Sequence, residues 1–181
     1  MRRLIVCLLL ALAAPLSAFA ARQVDIGNTS GTLTGSISGL AVSDSTLTLV
    51  NNLYGGLITG NLGTVAFQTG ALASGDLQNG GTFAPGGTFT VTGNGTNGVP
   101  NGPIFTGTFS QSVTWQLVTL SDGTHNYNMT GVVSGVVYAQ YKQYQANGVT
   151  FQLTVNTGTR FFNGSVGLSS GNLNILCRPQ H

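Results

Sequence analysis

Hydrophobic and polar residues alternate with a period of two in several short segments of this chain, and this period is typical of half-buried β-strands. The clearest example spans residues 149–155. Its apolar positions share one face and are Val149, Phe151, Leu153 and Val155. Threonine and glutamine occupy the positions between them, so one side of this strand is expected to face a core and the other to face water.

Other segments show the same alternation. Their paired apolar positions are Leu47 with Leu49, Phe89 with Val91, Phe105 with Phe109, Val113 with Trp115 and Leu117, and Leu173 with Ile175 and Cys177. By this alternation Trp115 lies on an inward face, so we interpret it as a core residue rather than an exposed stacking platform. No comparable helical stripe occurs in the sequence after residue 20.

Glycine-containing dipeptides separate these segments. Asp122-Gly123 predicts a tight hairpin, because both residues tolerate positive φ. Asn79-Gly80 and Asn147-Gly148 mark two further turns. Residues 93–103 are rich in Gly, Asn and Pro and lack any periodicity, so they are predicted to form a long loop.

Many short strands separated by glycine turns predict an all-β fold. The polar positions are mostly Thr, Ser, Gln and Asn, which suit contact with water. We therefore predict an antiparallel β-sandwich formed by a single domain over residues 21–181, with a β-barrel as the alternative.

Residues 1–20 have the features of a secretory signal peptide. Arg2 and Arg3 precede an apolar run, and Ala18-Phe19-Ala20 has the small-x-small pattern of a cleavage site. The apolar run is shorter than the ~20 residues that a bilayer-spanning helix needs. We therefore expect export to the periplasm, the cell surface or the extracellular space, with no membrane span after cleavage.

Charged residues are scarce once this segment is removed. Glu is absent, and the chain contains six basic residues, of which Arg2 and Arg3 belong to the signal. The four remaining basic residues balance four aspartates. Binding to nucleic acid requires several Lys and Arg residues on one face, so we do not expect it.

The few ionisable residues suggest no catalytic or metal site. The aspartates, Asp25, Asp44, Asp76 and Asp122, are dispersed and are interpreted as turn and cap residues. His125 follows the predicted hairpin turn and is expected to lie in solvent. The sequence therefore predicts a protein that is not an enzyme and that has no cofactor or metal.

Tyrosine is the most suggestive residue type for ligand contact. Tyr138, Tyr141 and Tyr144 surround Lys142, the only lysine in the chain. A tyrosine ring combines an apolar face with a polar tip, which suits contact with a glycan or a protein. The alternative is that these rings pack over a sheet edge.

Cys177 is the only cysteine after residue 20, so no internal disulfide is expected. Its alignment with Leu173 and Ile175 predicts burial as a small hydrophobic residue. A disulfide to a second molecule is the alternative.

In composition the chain resembles the Gly-, Thr- and Asn-rich secreted proteins of bacterial surfaces, without any motif that would transfer a residue's role. The favoured hypothesis is an exported, non-enzymatic protein with a structural or adhesive role at the cell surface or in the extracellular matrix. The alternative is a carbohydrate-binding module that uses the exposed tyrosines.

Because few charges protect the strand edges, we also expect self-association through them. A glycan or another surface polymer is the second expected partner.

Overall fold

The computed structural model describes residues 22–139, 142–168 and 170–177, with side chains described for residues 23–139 and 142–168. The predicted signal peptide, Tyr141 and the side chain of Cys177 lie outside this part of the chain. The described residues form thirteen strands: β1 Arg22–Thr29, β2 Thr32–Ser36, β3 Gly39–Asn51, β4 Leu57–Gln68, β5 Leu72–Asp76, β6 Gly80–Phe83, β7 Gly86–Asn94, β8 Asn101–Phe109, β9 Val113–Thr119, β10 His125–Ala139, β11 Lys142–Asn156, β12 Ser165–Gly167 and β13 Ser170–Cys177. Among these residues, no helix is long and apolar enough to cross a bilayer.

All strand pairs are antiparallel, and they belong to one sheet with the order β11-β13-β1-β3-β4-β7-β8-β10-β9-β6-β5. β10 also pairs with β11, so the sheet wraps around and its layers face each other across one interior. The predicted antiparallel, sandwich-like all-β fold is confirmed. A simple barrel, the alternative, would be one unbranched ring, whereas this sheet also branches at β3, which pairs with β2, and at β10, which pairs with β9.

Five phenylalanines from four strands fill the centre of the interior. Phe89 on β7 lies 5.9 Å from Phe67 and 5.1 Å from Phe151, measured between ring centroids. Its ring also contacts Phe105 and Phe109, each at 6.0 Å. Since β4 and β11 are far apart in the pairing order, these contacts are made across the core rather than along one layer.

A second aromatic cluster joins the loop between β5 and β6 to the strands below it. Trp115 and Tyr127 stack with centroids 4.8 Å apart, and both side chains are buried, which confirms the expected core position of Trp115. The indole Nε1 of Trp115 donates to the carbonyl of Leu77 at 2.9 Å. The Tyr127 hydroxyl donates to the carbonyl of Gln78 at 2.6 Å and accepts from the amide of Phe162 at 3.0 Å.

The strand that we predicted most clearly from the sequence forms as expected. Val149, Phe151, Leu153 and Val155 are buried, and Thr150, Gln152 and Thr154 are exposed. The Asp122-Gly123 hairpin also forms, because the Leu120 amide donates to the carbonyl of Thr124 at 2.8 Å between β9 and β10.

Two connections in the structure differ from those that the sequence predicts: one is a bulge instead of a turn, and the other is a shorter loop. Asn147-Gly148 is not a turn, because both residues lie inside β11, where they form a bulge opposite Ser134. Gly148 has a φ of 74°, which suits the bulge position that needs a left-handed backbone. The predicted loop at 93–103 is unpaired only over residues 95–100, since β7 and β8 extend into it from both sides.

Leu49 corrects a third expectation. The alternation placed it on the buried side with Leu47, but a register shift between Leu47 and Leu49 turns Leu49 to the outer side, opposite Gly27. Its neighbour Val50 takes the buried position.

Close approach of two strands explains one of the glycines. Gly63 on β4 has a φ of 144° and is paired with Gly93 of β7. A Cβ at Gly63 would collide with the carbonyl oxygen of Thr92. Glycine is therefore required here for the two strands to pair.

Phe89→Ala is expected to lower the free energy of unfolding by about 3–5 kcal/mol, because it opens a cavity among four other rings. Chemical denaturation of the purified protein measures this loss. Thr88→Ala is the matched control, since Thr88 is the exposed neighbour on the same strand and its removal should change stability by less than about 0.5 kcal/mol. Equal stability of the two variants would contradict the assignment of Phe89 to the centre of the core.

Tyr127→Phe tests the second cluster. Loss of the hydroxyl leaves the carbonyl of Gln78 and the amide of Phe162 without their partner, and we expect a loss of about 1–3 kcal/mol in the free energy of unfolding. Tyr138→Phe is the control, because its half-buried hydroxyl has only a long contact of 3.4 Å to Thr106 Oγ1. A destabilisation of the same size in both variants would show that the bridging hydroxyl is not the cause.

Candidate functional site

The outer side of β9, β10 and β11 forms a broad polar surface without formal charge, which we call the neutral face. Its polar members are Thr114, Gln116, Asn126, Asn128, Thr130, Thr150, Gln152, Thr154 and Asn156. All are exposed or half-buried, and Val118 and Val132 lie between them. The three strands contain no Asp, Glu or Arg, and Lys142 lies at the start of β11, away from these residues. The polar members of the neutral face therefore present only hydroxyl and amide groups.

Strand register arranges these side chains in rows. Thr82, Thr114, Thr130 and Gln152 lie opposite one another on four successive strands, β6, β9, β10 and β11. Paired outward residues of neighbouring strands lie about 4.5–5.5 Å apart at Cβ. The row is therefore a regular series of hydrogen-bonding groups across the sheet.

Hydrogen bonds between side chains fix part of the neutral face. Thr154 Oγ1 donates to Asn128 Oδ1 at 2.9 Å, and Asn156 Nδ2 donates to Asn126 Oδ1 at 2.6 Å. These pairs connect β10 to β11 outside the backbone ladder. They hold the amides in defined orientations, which reduces the entropy lost when a partner binds.

Two aspartates serve turns, as predicted. Asp76 Oδ1 accepts from the amides of Gln78 and Asn79 at 2.7 and 2.6 Å, and Asp122 Oδ1 accepts from the amide of Thr124 at 2.9 Å. A hydrogen bond from the Asn79 side chain holds the pKa of Asp76 below its usual value. A hydrogen bond from the Thr124 amide does the same for the pKa of Asp122.

The other two aspartates correct the sequence prediction, because both lie within strands rather than in turns. Asp25 is in β1 and accepts from Gln23 Nε2 at 3.1 Å and from Asn51 Nδ2 at 3.4 Å. Asp44 is in β3, and its Oδ1 accepts from the amide of Thr32 at 3.3 Å. Among the described residues, no group of three or more His, Cys, Asp or Glu side chains is placed to hold a metal ion.

His125 is buried, whereas we expected it to lie in solvent. Its ring stacks on Phe161 with centroids 4.5 Å apart, and its Nδ1 lies 3.1 Å from Thr119 Oγ1. The segment after β11 folds over it, because the His125 amide donates to the carbonyl of Gly158 at 2.7 Å. The ring is thus held by Thr119, while the Asp122 carboxylate bonds to Thr124.

The predicted tyrosine cluster does not form one surface in its described part. Val137, which is buried, pairs with Tyr144, and Tyr138 pairs with Gln143. Paired residues project to the same side of a sheet, so Tyr138 and Tyr144 lie on opposite sides. Tyr144 packs against the core, and Lys142 is exposed.

Tyr54 has a structural role that the sequence did not indicate. Its hydroxyl donates to the carbonyl of Tyr138 at 2.8 Å, which ties the segment after β3 to the end of β10. Burial raises the pKa of Tyr54 to about 12, so the hydroxyl keeps its proton over the neutral range.

Sequence reasoning identified the outward residues of β11 but missed the neutral face as a whole. The alternation in residues 149–155 is visible in the sequence, whereas the polar positions of β9 and β10 become its neighbours only through strand pairing. The order of the strands along the sheet is a property of the tertiary structure. An alternation shared by three segments and free of Asp, Glu and Arg is the signal that could have found the surface.

No family model, no curated protein and no solved structure matches the chain.

Acidification is expected to destabilise the fold through the two turn aspartates. A carboxyl group with a lowered folded-state pKa adds stability above its unfolded value, which is 3.8 for Asp76 and Asp122, and loses it as the pH falls through the lowered pKa. We expect the double variant Asp76→Asn/Asp122→Asn to lose less stability than the wild type between about pH 5 and about pH 2.

Urea denaturation across this range measures the effect. At neutral pH the double variant should be less stable than the wild type, because a neutral asparagine oxygen is a weaker hydrogen-bond acceptor than a carboxylate. The two proteins should become similar in stability near about pH 2, where the carboxyl groups are protonated. If the free energy of unfolding fell equally steeply with pH in both proteins below about pH 5, a role for these carboxylates in acid destabilisation would be contradicted.

Proposed function

We propose that this chain is an exported, non-enzymatic protein with a structural or adhesive role at the cell surface or in the extracellular matrix, and that the neutral face is its contact surface. The observation that carries the proposal is the continuous hydroxyl and amide surface on β9, β10 and β11. Such a surface supports contacts through shape and neutral hydrogen bonds.

The disposition of the ionisable groups also supports this proposal. Asp76 and Asp122 accept hydrogen bonds from their own turns, and His125 is buried under Phe161. General acid–base catalysis needs a titratable group within reach of a substrate. These three groups are engaged in structural contacts instead.

Adhesion through neutral hydrogen bonds relies on many contacts, because each adds only about 0.5–1.5 kcal/mol net. A large flat face provides such contacts in parallel. Attachment to a surface with repeated binding groups adds avidity without any single strong contact.

Self-association through sheet edges remains a proposal with a narrow structural basis. Within the described part of the chain, only β5 and β12 pair along a single edge. Both are short, and β5 ends at Asp76. Short edges and a charge limit edge-to-edge pairing, so any self-association by this route would be weak.

Carbohydrate binding is the second candidate function. The hypothesis of a glycan bound on a single surface of tyrosine rings is weakened, because Tyr138 and Tyr144 lie on opposite sides of the sheet. A groove that borders the neutral face at Gln152 and Thr154 favours a second form of carbohydrate binding.

Salt dependence provides the first test of the proposed function. Labelled protein is bound to surface material of the producing cells at low and at high NaCl concentration. Attachment through a neutral face should change less than about twofold between 0.05 and 0.5 M, although this range shortens the Debye length severalfold. Loss of attachment at high salt would indicate ionic contacts and would contradict the proposal.

A charge placed in the neutral face provides the second test. Thr130→Glu should reduce attachment about tenfold, because the new carboxylate must be desolvated on contact. Thr88→Glu is the matched control, since Thr88 is an exposed threonine on β7, outside the neutral face. Equal attachment of both variants would remove the neutral face as the contact surface.

Turnover of a substrate by the purified protein, abolished by His125→Ala, would overturn the non-enzymatic assignment.

A further inference from the structure

A groove of about 650 Å³ lies on the outer side of the sheet, between β3 and β4 on one side and β11 on the other. Its lining residues belong to β1, β3, β4 and β11, and β13 lies between β1 and β11 in the sheet. We call it the β1 groove. Its volume lies within the ~300–1,000 Å³ that is common for small-ligand sites. Of the sequence-predicted tyrosines that the structure describes, neither Tyr138 nor Tyr144 lines it.

Gly27, one of the lining residues, contributes no side chain to the groove. Gly27 pairs with Leu49, and a Cβ at Gly27 would lie 3.2 Å from Leu49 Cβ. The bulge in β3 that turns Leu49 outward gives the groove an apolar wall. Leu57 extends this wall and is 64% exposed, so its side chain is accessible to a ligand.

One carboxylate is fixed at the rim. Asp25 accepts hydrogen bonds from Gln23 Nε2 and Asn51 Nδ2, at 3.1 and 3.4 Å. Asn51 also lines the groove. Its side-chain amide still has one N–H group and its oxygen available for other partners. This rim therefore presents acceptors and a donor in a held arrangement.

The remaining polar groups can both donate and accept. Thr48 Oγ1 donates to the carbonyl of Gly27 at 3.3 Å, and Thr154 Oγ1 donates to Asn128, so both oxygens keep lone pairs for a ligand. Within the described residues, the side-chain amide of Gln152 has no hydrogen-bond partner. It is exposed at the β11 side of the groove and offers one acceptor and two donors.

We propose that the β1 groove binds a neutral oligosaccharide, an inference that rests on the carbohydrate-binding version of the proposed function. Sugar hydroxyls donate and accept hydrogen bonds, which matches the mixture of amide, hydroxyl and carboxylate groups. The C–H faces of sugar rings match the wall of Leu49 and Leu57. The carboxylate of Asp25 disfavours acidic sugars, because like charges repel.

The groove is a binding site rather than a hydrolytic one. Hydrolysis of a glycosidic bond by the common mechanisms uses two carboxyl groups on either side of that bond. Among the described residues that line the groove, Asp25 is the one carboxylate. The bound oligosaccharide is therefore released unchanged.

Calorimetric titration of the exported protein tests the inference. The probes are tetrasaccharides of glucose and of mannose, in α- and β-linked forms, with tetragalacturonate as the charged comparison. At least one neutral probe is expected to bind, and the charged probe is expected to bind at least about tenfold more weakly. Equal or tighter binding of tetragalacturonate would overturn the inference.

Two variants locate the binding. Asn51→Ala removes an amide from the rim, and Leu57→Ser removes an exposed apolar wall residue that the fold does not need. Each should weaken binding at least about tenfold, which corresponds to about 1.4 kcal/mol. Denaturation midpoints verify that both variants fold, and Leu57→Ser keeps the test decisive if Asn51→Ala is unstable.

Two control variants separate the possible failures. Thr88→Glu places a charge on β7, away from both the groove and the neutral face, and should leave oligosaccharide binding within about twofold, which is less than 0.5 kcal/mol. Binding that survives both groove variants and is lost in Tyr138→Ala would overturn the groove while keeping carbohydrate binding. Absence of binding by every neutral probe would overturn this inference, whereas salt-insensitive attachment to cell-surface material would still support the adhesive role.

Discussion

Hydrogen bonding along both edges of β10 holds this fold together. One edge pairs with β11, and the other is shared between β9 at the start of the strand and β8 at its end. Because of this double pairing, the sheet returns on itself and encloses the phenylalanine cluster around Phe89. It also places β9 and β11 on either side of β10, which creates the neutral face. The core and the candidate contact surface are thus opposite sides of the same three strands.

The scarcity of charge has a consistent consequence across the molecule. Asp76 and Asp122 stabilise turns through backbone and side-chain hydrogen bonds, and Asp25 is held by two amides. In the proposed function, the polar groups that contact a partner are therefore those of threonine, asparagine and glutamine. These groups form weaker but less salt-sensitive contacts than ion pairs do. The neutral face and the β1 groove share this chemistry, and β11 contributes Gln152 and Thr154 to both.

Several parts of the fold could be predicted from local patterns, and the failures have a common physical origin. The faces of residues 149–155 and the burial of Trp115 follow from a period of two, which any extended strand imposes on its side chains. Leu49 and Asn147-Gly148 deviate because bulges depend on the partner strand, and a shift of one residue reverses the side that a residue faces. The burial of His125 and the opposite orientations of Tyr138 and Tyr144 could not be predicted locally for a related reason. Residues on other strands and segments, such as Phe161 for His125 and Val137 for Tyr144, decide whether such rings are covered and which way they face.

By itself, the sequence determined that this chain forms antiparallel strands with apolar interiors and uncharged polar exteriors, since alternation and composition are properties of each segment alone. The tertiary structure decided which strands are neighbours, where bulges interrupt the alternation and which outward residues meet. Those features depend on pairing across the whole chain, where the free energy of packing one aromatic interior outweighs the preference of any single segment. The neutral face and the β1 groove exist only at that level.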